Sequence, residues 1–170
     1  MLRLLLLAQI FLICEPAFAK PITLVEFRNE FLLREFNSVK IGYIDTHPTM
    51  SAAVDGQGFD AVLRECAPIE GTCQAARFTA CRELPNYSRS EALELANDMN
   101  AGFNRGTAYA KSGAAASSVC VRLQVTFRDD DNFGIRQIFE WQRALEEFTT
   151  SVDQDLNARL AADVRALLEQ

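Results

Sequence analysis

Three groups of side chains in this sequence have residue types and spacing that could do chemistry. His47, in the run "DTHP", is the only histidine and lies two residues after Asp45. An imidazole beside a carboxylate can move protons near neutral pH. No Gly-x-Ser-x-Gly elbow and no Cys–His partnership accompanies it. The run "DDDNFG" fits part of a calcium loop, with Asp129 at position one, Asp131 at three, Gly134 at six and Glu140 at twelve. Phe133 stands at position five, where an oxygen ligand belongs, and Arg136 at position eight, usually apolar. The third group is cysteine: Cys66, Cys73, Cys81 and Cys120 remain once the first twenty residues are set aside.

Each group has a plainer reading. His47 is expected in an exposed loop before Pro48. The aspartates are expected in a solvated turn that favours the N-terminus of the next helix. An enzyme that binds a small ligand or a metal through His47 or the Asp129–Asp131 cluster stands as the alternative reading. For the cysteines, "ECAPIEGTC" sets Cys66 and Cys73 with six residues between them. Structural zinc sites use pairs two to four residues apart or add histidines, and redox pairs are Cys-x-x-Cys. Neither pattern is present, so a Cys66–Cys73 disulfide across a hairpin end is expected. No metal site and no cofactor is implied.

The compartment is read from "MLRLLLLAQIFLICEPAFAK". Arg3 gives a positive start, Leu4 to Ile13 an apolar run interrupted by Gln9, and Ala17-Phe18-Ala19 a small-x-small cleavage pattern. The run is too short for a membrane span of roughly 20 residues. Residues 1–19 therefore read as a signal peptide, leaving a chain exported to the periplasm or secreted. Cys14 raises a lipoprotein signal as a rival, disfavoured by the bulky Ile13 before it. The chain has a formal net charge of −6. An acidic chain with scattered arginines has no basic stripe for nucleic acid, so no nucleic-acid partner is expected. No later stretch is long and apolar enough to span a membrane.

The elements that would position these groups follow from periodicity. "LVEFRNEFLLREFN" places Leu24, Phe27, Phe31, Leu32 and Phe36 on a helical face. Gly42-Tyr43 follows, and then Thr49 to Val54, Phe59 to Cys66 and Cys73 to Leu84 read as a three-stranded meander, with "DGQG" as a turn. "SRSE", Ser88 to Glu91, has the form of a capping box opening a helix with Ala92, Leu95, Ala96, Met99 and Phe103 on one face. Asn97 and Asn100 on that helix are weak helix formers with a hydrogen-bonding task. That task is either to neighbouring backbone or to a ligand, with Arg105 as a further weak binding candidate.

Two strands follow, around Thr107 to Lys111 and Ser118 to Arg128. In the second, Val119, Val121, Leu123, Val125 and Phe127 alternate with Cys120, Arg122, Gln124, Thr126 and Arg128, giving one core face and one wetter face. Phe78 and Ala80 on the core face put Cys81 on the wetter one, with the same parity as Cys120. The two could pair if their strands are neighbours, which parity alone leaves open. A last helix runs from Ile135 through Ile138, Phe139, Leu145, Phe148 and Val152, with Trp141 in core or interface packing. Leu156, Leu160, Val164, Leu167 and Leu168 continue its stripe, and "TTS" (Thr149 to Ser151) is a candidate kink. The expected fold is α+β: one antiparallel sheet of about five strands in the order α-β-β-β-α-β-β-α, with helices packed on one face.

The sequence from Gly42-Tyr43 through "DGQGFDAVLRECAPIEGTCQAARFTA" and "ANDMNAGFNRGTAY" to the final strand and helix resembles the YbjN domain family of bacterial proteins. Exported members are similar in carrying a signal peptide, a short Cys…Cys hairpin and a Gln-x-x-Phe-like strand, here Gln74 to Phe78. They also carry an Asn-x-Trp-Asn helix motif leading into a Gly-x-Ala-Tyr strand. Met99 replaces the tryptophan here, and Asn104-Arg105 stands where Arg-Phe is usual. The resemblance implies a domain over residues 20–152 with a helical extension over 153–170. It also implies a fold similar to type III secretion chaperones, small dimers that bind extended partner segments. It carries no enzymatic activity. The function expected is that of a non-enzymatic, exported protein-binding or chaperone-like module, as a homodimer or with another protein partner.

Overall fold

A computed structural model describes residues 21–113, 116–127 and 135–169. The signal-peptide reading of residues 1–19 and the Asp129–Asp131 run lie outside the described residues. The elements are β1 (Ile22–Thr23), α1 (Leu24–Leu32), β2 (Asn37–Ile44), β3 (His47–Val54), β4 (Gln57–Cys66), β5 (Thr72–Leu84), α2 (Arg89–Gly102), β6 (Thr107–Ser112), β7 (Ser117–Thr126) and α3 (Ile135–Leu168). They form one antiparallel sheet in the order β2-β3-β4-β5-β7-β6, with β1 paired to β5. The class is α+β, as expected, but the described residues hold seven strands rather than five. The two extra ones are β1, only two residues long, and β2, an edge strand with no buried residue.

Alternation decides which face of the sheet is covered. Met50 and Ala52 of β3, Phe59, Ala61 and Leu63 of β4, Ala76, Phe78 and Ala80 of β5, and Val119, Val121 and Val125 of β7 share one core. All three helices contribute to the same core: Phe27 and Phe31 from α1, Leu95 and Met99 from α2, and Ile138, Trp141, Leu145, Phe148 and Val152 from α3. At its centre the fully buried Trp141 ring stacks on Phe78, with centroids 5.2 Å apart, and meets Phe59 edge-on at 5.3 Å. Two buried polar atoms on successive turns of α3, Gln137 Oε1 and Trp141 Nε1, have no hydrogen-bond partner among the described residues.

Local chemistry sets the helix ends. Both α1 and α2 open on capping boxes: Thr23 with Glu26, and Ser88 with Glu91 as the sequence indicates. The first helix is shorter than its apolar pattern suggests. It stops because Glu35 adopts a positive φ of 61°, while the Phe36 amide donates to the Phe31 carbonyl and the Glu35 amide to that of Leu32. That is a Schellman closure, and Phe36 packs on Phe31 at 4.9 Å to seal it. Leu32 is consequently 45% exposed instead of core.

In α3 the expected interruption at Thr149 to Ser151 does not occur. The Thr149 hydroxyl donates to the Leu145 carbonyl at 2.8 Å and the Ser151 hydroxyl to the Glu147 carbonyl at 2.9 Å. The hydroxyls thus bond back along the helix and leave its own ladder intact. The helix runs unbroken for 34 residues, about 51 Å at 1.5 Å per residue.

Candidate functional site

The expected bridge at the hairpin end lies in a short cross-strand pairing. Cys66 faces Cys73 between β4 and β5, with the two sulfurs 2.06 Å apart. Cys81 faces Cys120 between β5 and β7 at 2.10 Å. Both pairs are at disulfide distance, and β5 and β7 are the neighbours that the second pairing requires. Cys73 also pairs with Ile22 of β1, so the first cysteine pair ties the edge of the hairpin to the start of the fold.

His47 opens β3 opposite Ile44 and is half-buried, so the loop expected for it is corrected to a strand position. The reason is the tightness of the connection. Asp45 takes a positive φ of 55°, and the turn between Ile44 and His47 needs only two residues. Among the described residues no group of three or more His, Cys, Asp or Glu side chains could hold a metal ion.

The Asn97, Asn100 and Arg105 candidates do not form one cluster with a shared task. Asn97 is exposed on α2. Asn100 gives its amide nitrogen to the Ala108 carbonyl at 2.8 Å and takes the Ala108 amide on its oxygen at 2.7 Å. It copies a strand's hydrogen-bonding edge and fixes α2 to β6. Arg105 pairs with Glu147 of α3 at 3.0 Å. Directly after Arg105, Gly106 has a φ of +82°, and a Cβ there would come within 2.7 Å of the Arg122 carbonyl oxygen. The chain can turn from α2 into β6 against β7 only with glycine at that point. The groove beside these residues, about 420 Å³, is lined instead by Met99, Phe103, Asn104, Glu146, Glu147 and Thr150. A larger one, about 580 Å³, runs between the β3–β4 turn and α3, past Val54, Gln57, Phe139, Arg143, Glu146 and Thr150.

A polar cluster joins α2 to the later part of α3. Arg159 donates to Glu91 at 2.6 Å and to Asp155 at 3.2 Å, and its guanidinium lies 4.0 Å from the Tyr87 ring centroid. The Tyr87 hydroxyl donates to Asp155. Burial first, and then that hydrogen bond, push the Tyr87 phenol up to about 12. The Ser88 hydroxyl and the Arg159 guanidinium hold the Glu91 carboxyl down at about 2. Together with Arg82–Asp153 at 3.0 Å, these contacts seat the first turns after Val152. Beyond them the helix is bare: Leu160 is 62% exposed, Val164 48%, Leu167 71% and Leu168 83%.

The second unpartnered surface is the face of the sheet opposite the helices. It carries Arg64 of β4, Arg77 of β5 and Arg122 of β7, each on the strand parity opposite to the core residues. Arg64 and Arg77 are half-buried and Arg122 is exposed. The Arg122 guanidinium lies over the Tyr109 ring of β6 at 4.7 Å. Asp60, opposite Thr79, and Glu83, opposite Ser118, share this face. Composition conceals this grouping, because the three arginines come from separate strands and meet only through register. The outward parity of Arg122 was visible in the sequence; its neighbours were not.

An α+β sheet with three helices on one face and two cross-strand cysteine pairs is the class of protein that the geometry defines. The fold is that of the crystal structure of YbjN, a proposed transcription regulator from E. coli. The match has a TM-score of 0.54 and covers 82% of this chain and 94% of that one, at 12% sequence identity. No protein-family model matches the chain, and no curated protein does. Among the described residues no helix is long and apolar enough to cross a membrane.

Proposed function

We propose that the chain is an exported, non-enzymatic member of the YbjN domain family that works by binding protein, with a homodimer through the end of α3 as its basic form. The observation that carries this reading is the bare apolar stripe Leu160, Val164, Leu167 and Leu168. A helix end of this length gains little from its own hydrogen bonds in water. Four large apolar side chains on it are therefore best accounted for by a surface that covers them. A second copy presents the same stripe, and two such helices could pack along it with the two-fold symmetry usual for dimers.

Export is supported by the leader-like residues 1–19 and by the two cysteine pairs at disulfide distance, since disulfides persist in oxidising compartments. Family membership is supported by the likeness of fold and by the motifs that resemble the family. Sedimentation equilibrium of the exported chain tests the reading. The expected result is a dimer that the double substitution Leu160→Glu and Leu167→Glu turns into a folded monomer. The same monomeric mass for both proteins would remove the dimer.

A further inference from the structure

The arginines on the helix-free face lie on one diagonal of the sheet. Arg64 stands opposite Ala75, two residues from Arg77; Arg77 stands opposite Gln124, two residues from Arg122. Tyr109, opposite Cys120, continues the line onto β6. Diagonal neighbours on one face of a sheet are about 7–8 Å apart. Arg34, Arg82, Arg105, Arg136 and Arg159 each have a carboxylate partner, whereas Arg64, Arg77 and Arg122 have none among the described residues. Burial first, and then Arg64 and Arg122, lower the pKa of the Arg77 guanidinium, the mark of cations gathered without an anion. Asp60 occupies the other diagonal from Arg77 and does not interrupt the row.

The strands under this row are held in place. The Cys81–Cys120 pair joins β5 to β7 one step along the face from Thr79 and Arg122, which are cross-strand partners. The Tyr109 ring then lies beneath the Arg122 guanidinium. Cations set at a regular spacing on braced strands suit a ligand of matching period, because the backbone that carries them needs no further ordering on binding.

We propose that this face binds an extended acidic peptide segment of a partner protein, with carboxylates at alternate residues pairing with Arg64, Arg77 and Arg122. An extended strand rises about 3.3 Å per residue, so side chains on one side recur about every 6.6 Å. That period approaches the diagonal spacing of the arginines, and each guanidinium can take a carboxylate through two parallel N–H bonds. Single-stranded nucleic acid would need open aromatic faces for its bases. The one ring in the row, Tyr109, already lies beneath Arg122. The inference rests on the protein-binding reading above and names the chemistry of the partner. It concerns a different surface from the end of α3, so the sedimentation result and this one succeed or fail separately.

The test titrates the full exported chain into a fluorescein-labelled peptide of four Glu-Thr repeats at low salt, with amide shifts followed by NMR. Saturable binding is expected, weakened about tenfold or more by Arg77→Ser and by Arg64→Ser, weaker as salt rises, and with shifts confined to β4, β5 and β7. No saturable binding, or an affinity in both variants unchanged from that of the unsubstituted chain, would overturn the proposal. So would tighter binding of an octathymidylate probe, or peptide-induced shifts centred on α3. Shifts at the arginine row that appear on concentrating the protein alone would place a second copy there and also overturn it.

Discussion

The two faces of the sheet are made by the same strands, one residue apart, yet they solve opposite problems. On the helix-covered face of β5, Ala76, Phe78 and Ala80 are at most 1% exposed and disappear under α1 and α3. On the other face Arg77, Thr79 and Cys81 look outward, with no helix above them among the described residues. The covered face has its partner within the chain and is finished by folding. The bare face gathers three like charges with no ion-pair partner among the described residues, and stability gives no reason to place them together. What the difference teaches is that alternation in a strand records two separate demands, one from the core and one from whatever meets the surface.

The comparison is broken most strongly from the covered side. Trp141→Ala empties the centre of the core and is expected to cost about 3–5 kcal/mol. Trp141→Phe keeps part of the ring packing and removes an N–H that has no partner among the described residues, so it should cost clearly less than Trp141→Ala. Arg77→Ser on the opposite face should change stability by no more than about 0.5 kcal/mol. Urea unfolding of the three variants checks the order. If Arg77→Ser were as costly as Trp141→Ala, the bare face would be part of the folding core.

Next in size come the cysteine pairs. Cys81–Cys120 closes a loop of sequence separation 39, and Cys66–Cys73 one of 7. In the chain-entropy account the first contributes about 4 kcal/mol and the second about 2.5 kcal/mol. Paired serine replacements should therefore lower the urea midpoint more for Cys81 and Cys120 than for Cys66 and Cys73. The Cys81–Cys120 replacement should also weaken acidic-peptide binding, because the arginines lose the bond that holds β5 to β7. Intact-mass analysis before and after reduction reads the two bridges directly, and free thiols in the native protein would remove both expectations.

Much of the covered face was legible in the sequence. Val119 to Phe127 alternate without a fault, and the middle of β4 and β5 bears apolar residues at every second position, Phe59 to Leu63 and Ala76 to Ala80. The edge strand β2 escaped because "NSVKIGYI" contributes no buried residue, so no core imposed a period on it. The end of α1 escaped because Glu35 takes the left-handed position where a glycine would have marked the stop. The site was least legible. Asn100, whose task the sequence leaves between neighbouring backbone and a ligand, spends both halves of its amide on the Ala108 backbone. The arginine row depends on register between strands up to 58 residues apart in sequence, from Arg64 to Arg122. No local pattern could show it.

The smallest effect lies at the margin of the covered face and sharpens the contrast through pH. Glu91 is held at about 2 by Ser88 and Arg159, well below the ordinary carboxylate value of 4.5. A carboxylate lowered by folding contributes stability that is complete above its unfolded value and fades as pH falls through its folded one. The loss therefore spans about pH 4.5 down to about 2 and is small, because the pair is open to solvent. Glu91→Gln keeps a side chain able to return the capping bond but carries no charge. Its urea midpoint should fall less steeply across that window than that of the unchanged protein. Arg64, Arg77 and Arg122 have no carboxylate partner to protonate among the described residues, so Arg77→Ser should leave the acid slope as it is. An equal slope in Glu91→Gln would mean that neither the Ser88 nor the Arg159 contact lowers the Glu91 carboxyl in solution. A slope altered by Arg77→Ser would mean that a carboxylate of the chain itself already occupies the bare face.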